Sequence, residues 1–201
     1  MPHPFGLNGV PGPSLPRIRG GHWYRTAFGT LSATTPIDDM CIFTPFWPAY
    51  RGTIDGVAFE VVAFGTNTGN DTMTIGIYDD DGQGRPTGSA LFQSTAISLE
   101  TSNGVRTQVV SWTGIKPKLY WLAAGRFTNS ATSSPLPTVR CASVDGFKNF
   151  IMSDSGATPT MGAAIPYTNY QQAMVATTVP TVATLLVGTQ LASPLILVKF
   201  T

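Results

Sequence analysis

Charged side chains are scarce in this sequence, which has 12 Lys and Arg, 11 Asp and Glu, and a formal net charge of +1. Charged residues make up 11% of the chain, against about 25% in typical soluble domains. The basic residues are also scattered rather than clustered, so the electrostatic signature of a nucleic-acid-binding protein is missing. We therefore expect no nucleic-acid partner.

Histidine is rarer still, because the two in the chain, His3 and His22, both lie near its start. A buried histidine base or a multi-histidine metal site is therefore not expected. The serine elbow, the zinc-binding helix motif and the phosphate-binding loop are also missing from the sequence. The sequence predicts a protein that is not an enzyme and needs no cofactor.

Cysteine occurs twice, at Cys41 and Cys141, with neither in the spacing of a zinc site or a redox pair. Two buried, reduced thiols are the favoured interpretation, and a disulfide closing a long loop is the alternative. Long apolar runs are missing too, since residues 182–198 are interrupted by Gly188 and Pro194. We expect no membrane insertion and no signal peptide, and hence synthesis in a cytoplasm.

Proline and glycine are dense in the first 21 residues, MPHPFGLNGVPGPSLPRIRGG, which contain five of each. This density disfavours helix and interior strand and favours an extended arm. A disordered tail and an arm held by a neighbouring subunit both fit that composition. We assign the arm to residues 1–20 and predict that it attaches the protein to its partners. The residues expected to make the attachment are Pro11, Pro13, Pro16, Arg17 and Arg19.

The remaining residues, 21–201, predict a single all-β domain. Residues 55–64 and 72–78 alternate apolar side chains at a period of two, which is typical of strands with one buried face. The buried faces predicted are Val57, Phe59, Val61 and Ala63 in the first segment, and Met73, Ile75 and Ile77 in the second. A turn-rich loop joins the two segments, so we expect them to form an adjacent antiparallel pair.

Four further short strands are predicted at residues 108–112, 118–124, 184–187 and 194–200. The strand at 118–124 should place Leu119, Trp121 and Ala123 opposite to Tyr120 and Leu122. Only residues 169–176 suggest helix, and for no more than a turn or two. The expected fold is an antiparallel β-sandwich or jelly roll.

The densest polar cluster is Asp79-Asp80-Asp81-Gly82-Gln83-Gly84-Arg85-Pro86. Asp79 and Asp81 are alternate carboxylates, an arrangement that oxygen-rich calcium loops use. The favoured interpretation is a turn whose aspartates cap their own backbone. Glu60 and Glu100 are the other carboxylates considered, for polysaccharide cleavage, but nothing brings them to the required spacing, so solvated strand-face positions are preferred.

Aromatic residues form two groups. Trp23, Tyr24, Phe46 and Trp47 lie between the arm and the first clear strand, where we expect core packing or a subunit interface. Tyr167 and Tyr170 lie in a polar segment and suit either glycan stacking or packing. The sequence does not separate these two alternatives.

A family resemblance rests on two distant segments. They are Ile75-Gly76-Ile77-Tyr78-Asp79-Asp80-Asp81-Gly82-Gln83-Gly84-Arg85-Pro86-Thr87-Gly88 and Leu119-Tyr120-Trp121-Leu122-Ala123. Together they resemble a family of bacteriophage structural domains found in tail-fibre and other virion proteins. In that family a "GIY-D-GG-P-G-L" strand and turn precedes a "G-YWLA" strand. Residues 21–24, 43–46 and 193–198 also resemble its opening aromatic pair, its "PF" segment and its last strand.

The resemblance implies a non-enzymatic virion β-sandwich with no catalytic residues. It implies partners among other virion proteins, a homotrimer, and a location in the virion after assembly in the host cytoplasm. A tail fibre or tail-associated adsorption protein is the first expectation. A capsid decoration or head-fibre protein, and a carbohydrate-binding module that recognises a host cell-surface glycan, are the alternatives.

Overall fold

A computed structural model describes residues 20–26, 30–46, 48, 52–65, 71–115, 118–128, 135–143, 170–173, 178–182, 186–187 and 192–201. All regular secondary structure within these ranges is β-strand. The strands are β1 Trp23–Arg25, β2 Leu31–Thr34, β3 Met40–Phe46, β4 Gly52–Ala63, β5 Thr72–Asp80, β6 Pro86–Gln93, β7 Ile97–Ser98, β8 Gly104–Ile115, β9 Tyr120–Phe127, β10 Thr138–Ser143, β11 Tyr170–Ala173, β12 Leu186–Val187, β13 Ala192–Pro194 and β14 Leu197–Phe200. Over the same ranges there is no helix with the length and apolar character needed to cross a membrane.

Sheet A is organised around β4, a 12-residue strand. One edge of β4 pairs with β8, while its other edge pairs with β14 and, near its end, with β10. Strand β1 adds to β14, and β2 and β13 add to β10. All of these pairings are antiparallel.

Sheet B has the strand order β12-β11-β3-β9-β5-β6, and β7 pairs with the start of β5. Every pairing between its strands is antiparallel. Strand β9 lies at its centre, paired with β3 on one side and β5 on the other. The two sheets pack face to face and enclose the main apolar core, to which both contribute. The predicted fold class, an all-β antiparallel sandwich, is confirmed.

The central strands of sheet B, β5 and β9, are buried on both faces, which explains their continuous apolar stretches. Its inner face contributes Ile75, Ile77, Tyr120 and Leu122 to the main core, together with other side chains. Its outer face carries a second apolar cluster: Cys41, Phe43, Tyr78, Trp121, Ala123 and Val179. The predicted division of residues 119–123 between two faces is therefore confirmed.

The predicted buried faces of the first two segments are mostly confirmed, but their adjacency is wrong. The predicted inward residues of β4 and β5 belong to the main core, except Ala63, which is exposed at the end of β4. However, β4 lies in sheet A and β5 in sheet B, so the strands face each other across the core. Within sheet B, β5 pairs with β9 on one side and β6 on the other.

The helical prediction for residues 169–176 is also wrong for its described part, since Tyr170–Ala173 is strand β11. Its backbone pairs with β3 on one side and β12 on the other. Ladder hydrogen bonds to a buried neighbouring strand outweigh the weak local helical preference of this polar segment.

One end of the sandwich gathers the chain termini of the described domain, and we call it the arm end. There Gly21 N donates to Phe200 O over 2.7 Å, and Thr201 N donates to Thr53 O over 3.1 Å. In sheet A, β1 and β4 begin at this end, and β8 and β14 finish there, as their registers show. In sheet B, β9 begins beside the ends of β3 and β5, and its Tyr120 packs against Trp112 of β8, so this end of sheet B lies at the arm end. The described chain therefore begins, at Gly20 and Gly21, next to its last residues.

Candidate functional sites

The Asp79–Gly88 turn is closed by hydrogen bonds from its own aspartates. Asp80 Oδ1 accepts from Gly82 N at 2.8 Å and from Gly84 N at 3.3 Å. Asp81 Oδ1 accepts from Gln83 N at 2.7 Å and from Arg85 N at 3.2 Å. Gly82 and Gly84 have φ angles of 83° and 79°, a left-handed conformation that favours glycine. The alternation of aspartate and glycine is therefore the chemistry of a capped turn.

The same turn is bound to the start of β9. Asp80 Oδ2 accepts a hydrogen bond from Trp121 Nε1 at 2.8 Å, and Asp79 Oδ1 lies 2.5 Å from Lys118 Nζ. The hydrogen bond to Asp79 raises the pKa of Lys118. The two segments that carry the family resemblance thus form one interlocked unit, with Tyr78 and Trp121 as register partners.

The candidate calcium ligands, the carboxylates of Asp79 and Asp81, are engaged in contacts within the protein. Asp79 pairs with Lys118, and Asp81 caps backbone N–H groups. Within the described part of the chain, no three His, Cys, Asp or Glu side chains are grouped to hold a metal ion. The hydrogen bonds are those of the capped-turn interpretation, and calcium binding stays an untested alternative.

Glu60 and Glu100 are each bound to a different group. Glu60 makes a two-pronged contact with Arg140, with Nε to Oε2 at 3.0 Å and Nη2 to Oε1 at 3.2 Å. The hydrogen bonding by Arg140 lowers the pKa of Glu60. Glu100 Oε1 accepts from Asp71 N at 2.8 Å. Both contacts are structural ones, between strands or between loops.

The first aromatic group divides between surface and core. Trp23 is 40% exposed, whereas Phe46 is buried in the main core. Tyr24 packs edge-on against Phe200, with ring centroids 5.8 Å apart. Trp47 lies outside the described residues.

Trp23 reaches across sheet A from its edge strand. Its register partner is Lys199, whose own partner on β4 is Gly56. A Cβ atom built on Gly56 would lie 2.7 Å from Trp23 Cη2, so the indole occupies the space that a side chain would need. The missing side chain at position 56 lets Trp23 fasten β1 to the sheet.

The other predicted contact residues fall largely outside the described ranges. Tyr167 is not among the described residues, and neither are Pro11, Pro13, Pro16, Arg17 and Arg19 of the arm. Tyr170 is placed by its backbone alone, in β11 opposite Phe43 and Val187. Its two alternatives, glycan contact and packing, therefore both stay open.

A buried ion pair that was not predicted from the sequence lies at the end of the sandwich opposite the arm end. Arg126 Nη2 lies 2.9 Å from Asp71 Oδ1, and their side chains are 1% and 0% exposed. Arg126 Nη1 also contacts the carboxylate of Asp38 and donates to Pro36 O at 3.2 Å. The sequence feature that indicates such a pair is the single charged residue in the segment YWLAAGRF, because a lone arginine in a buried strand requires a partner.

Both cysteines are buried free thiols, as the favoured interpretation predicted. Cys41 belongs to the outer cluster of sheet B, and Cys141 to the main core. Burial raises the pKa of Cys141 to about 11 and raises that of Cys41 further. Both thiols are therefore protonated and unreactive at neutral pH.

The described residues thus combine a rigid sandwich with charged groups that are engaged in holding its turns and strands. Comparison of the chain with protein-family models, with curated proteins and with solved structures finds no match to any of them.

Proposed function

We propose that this chain is a non-enzymatic structural protein of a bacteriophage virion, a tail fibre or tail-associated adsorption protein attached by its N-terminal arm. The observation that carries the proposal is the hydrogen bond from Trp121 to Asp80. It joins the two segments on which the resemblance rests, so the shared pattern is that of a folding unit. Shared residues that stabilise the fold, rather than form a reactive site, fit a structural protein of an assembly.

The geometry at the arm end supports attachment through residues 1–20. The Gly21–Phe200 hydrogen bond, the β1–β14 pairing and Trp23 above Gly56 all fix the start of the domain to its last strand. A pulling force on the arm would therefore be borne by the strand pairings of sheet A. The low charge of the chain also suits uncharged contacts with neighbouring virion proteins, including the threefold association that the resemblance implies.

Arm deletion tests the attachment directly. A chain lacking residues 1–20 should fold, because no described strand is removed, but it should fail to enter virions. A matched control replaces those residues with a Gly/Ser segment of equal length, which separates arm sequence from arm length. Incorporation of the deleted chain at the level of the intact chain would overturn the proposal.

Immunogold labelling of intact particles distinguishes the two virion locations. Gold on the tail supports a fibre or adsorption protein. Gold on the head would replace that location with the capsid-decoration alternative. The carbohydrate-binding alternative predicts affinity for host glycan by the isolated chain.

A further inference from the structure

Strand β8 has a free edge in the described structure. It is 12 residues long and pairs only with β4 among the described strands. An unpaired edge presents a row of N–H and C=O groups that readily accept another strand. Natural edges are commonly protected by charged side chains, proline, bulges or a covering segment. The first half of β8, residues 104–109, has one charged residue, Arg106, and neither proline nor a register shift.

The regular part of this edge is its first half. Residues from Gly104 to Val109 pair one-to-one with β4 from Val61 back to Gly56. The register shifts only after Val109, where two irregularities increase the twist of the strand. Any added strand would therefore pair with residues 104–109.

That half is apolar and uncharged on its outer face. Val105 is 57% exposed and Val109 is 88% exposed, and both rank among the large apolar residues of the surface. Thr107 lies between them on the same face and is also exposed. Val109 stands next to Gly56 on β4, whose side-chain space is occupied by the indole of Trp23.

We propose that a second copy of this chain pairs with this edge, antiparallel and about a twofold axis through Thr107. In that register Val105 of each copy lies opposite Val109 of the other, and the two Thr107 side chains lie side by side. Directly opposed β-branched pairs of this kind stabilise antiparallel sheets. The two copies of sheet A become one continuous sheet.

The charges of the strand favour the same arrangement. Its one charged residue, Arg106, lies opposite Gln108 of the second copy, so no like charges meet across the axis. Arg106 is also held within its own copy by Thr101 and Ser102, with Nη2 3.0 Å from Thr101 Oγ1. A twofold contact uses the same strand twice and brings each exposed valine of one copy beside an exposed valine of the other, which makes a second copy the partner that fits.

This pairing depends on β8 alone and is separate from arm attachment. It would join two monomers into a dimer or two trimers into a hexamer, so the number of chains is even in either case. Light scattering of the intact chain should find an even number of chains. A purely monomeric or trimeric protein would overturn the inference.

Cysteine cross-linking tests the register, since both native thiols are buried. Under mild oxidation Thr107→Cys should give a covalent dimer, because its copies meet at the axis. Val105→Cys and Val109→Cys should each stay uncrosslinked alone and cross-link when mixed. Cross-linking of Val105→Cys with itself would overturn the register, as would failure of Thr107→Cys.

A charge substitution provides a second test with a matched control. Thr107→Lys places two like charges at the axis and should weaken association by at least about tenfold. Ser89→Lys, at an exposed position on β6 of the other sheet, should leave it unchanged. If both variants self-associate as strongly as the intact chain does, the result contradicts pairing at β8.

Discussion

Trp121 donates its indole N–H to Asp80 across 2.8 Å, although the two residues lie 41 positions apart in the chain. Trp121 belongs to the buried centre of sheet B, and Asp80 begins the turn between β5 and β6. The bond therefore sets the position of a surface turn from inside the outer apolar cluster.

Replacing Trp121 by phenylalanine should show the value of that bond. Phenylalanine fills less space than the indole and removes the donor to Asp80, so we expect a loss of at least about 1–3 kcal/mol in the free energy of unfolding. Urea unfolding measures the loss. Gln83→Ala, in the same turn but exposed, serves as a control and should change stability by under about 0.5 kcal/mol. Equal effects of the two variants would show that the bond contributes nothing.

Two glycine substitutions, one in the turn and one at the start of the domain, should have different effects on stability. Gly82 has a φ of 83° and open space around it, so Gly82→Ala should destabilise the fold by about 1–2 kcal/mol through backbone strain alone. Gly20→Ala meets only ordinary contacts, at 3.7 Å and beyond, and should be neutral or slightly stabilising. Thermal unfolding of both variants provides the comparison. A neutral Gly82→Ala would contradict the left-handed conformation.

The ion pair between Arg126 and Asp71 should tolerate the removal of one partner poorly. Arg126→Met leaves the Asp71 carboxylate buried without its cation, so we expect a loss of about 3–5 kcal/mol. Lys199→Met breaks a partly exposed pair with Asp55, at 3.2 Å, and should cost under about 1 kcal/mol. Chemical unfolding of the two variants tests the difference, and a small loss for Arg126→Met would contradict it.

Glu60 should contribute to the acid sensitivity of the fold. Because Arg140 holds the pKa of Glu60 below its ordinary value of 4.5, the ionised pair stabilises the folded chain above the unfolded-state pKa. That stabilisation is lost as the pH falls through the lower, folded-state pKa. The difference in unfolding free energy between the native chain and Glu60→Gln should therefore be constant near neutral pH and shrink in acid. A difference independent of pH would contradict the pairing.

The two thiols should not react with a thiol reagent in the folded protein. Cys141, with its pKa raised to about 11, and the more strongly shifted Cys41 should both stay unlabelled near pH 8. Denaturant should expose two thiols per chain, because no disulfide joins them. Labelling without denaturant, or a total below two, would contradict this arrangement.

Local pattern was enough to predict the strands whose two faces differ, such as β4 with Val57, Phe59 and Val61 inward. It did not predict which sheet each strand joins, because a period of two defines a buried face without identifying the partner strand. The helix expected around Tyr170 failed for the same reason, since β3 supplies the pairing from a distant part of the chain. The turn at Asp79–Asp81 was predictable because its hydrogen bonds are local.

The Arg126 site could not be located from its own segment. Its partners Asp71, Asp38 and Pro36 lie in connections that only the completed sandwich brings together. Ion pairs of this kind depend on tertiary geometry, and the sequence shows only that a charge in a buried strand needs compensation.

The contact between Gly20 and Thr201 has a further consequence for the covalent chain. A Cβ atom placed on Gly20 would lie 3.7 Å from the backbone of Thr201, so the polypeptide from 20 to 201 is nearly a closed ring. A peptide link of a few residues would circularise it without displacing β1 or β14. Such a ring has fewer unfolded conformations than the open chain, so it should gain stability without any new contact in the folded protein.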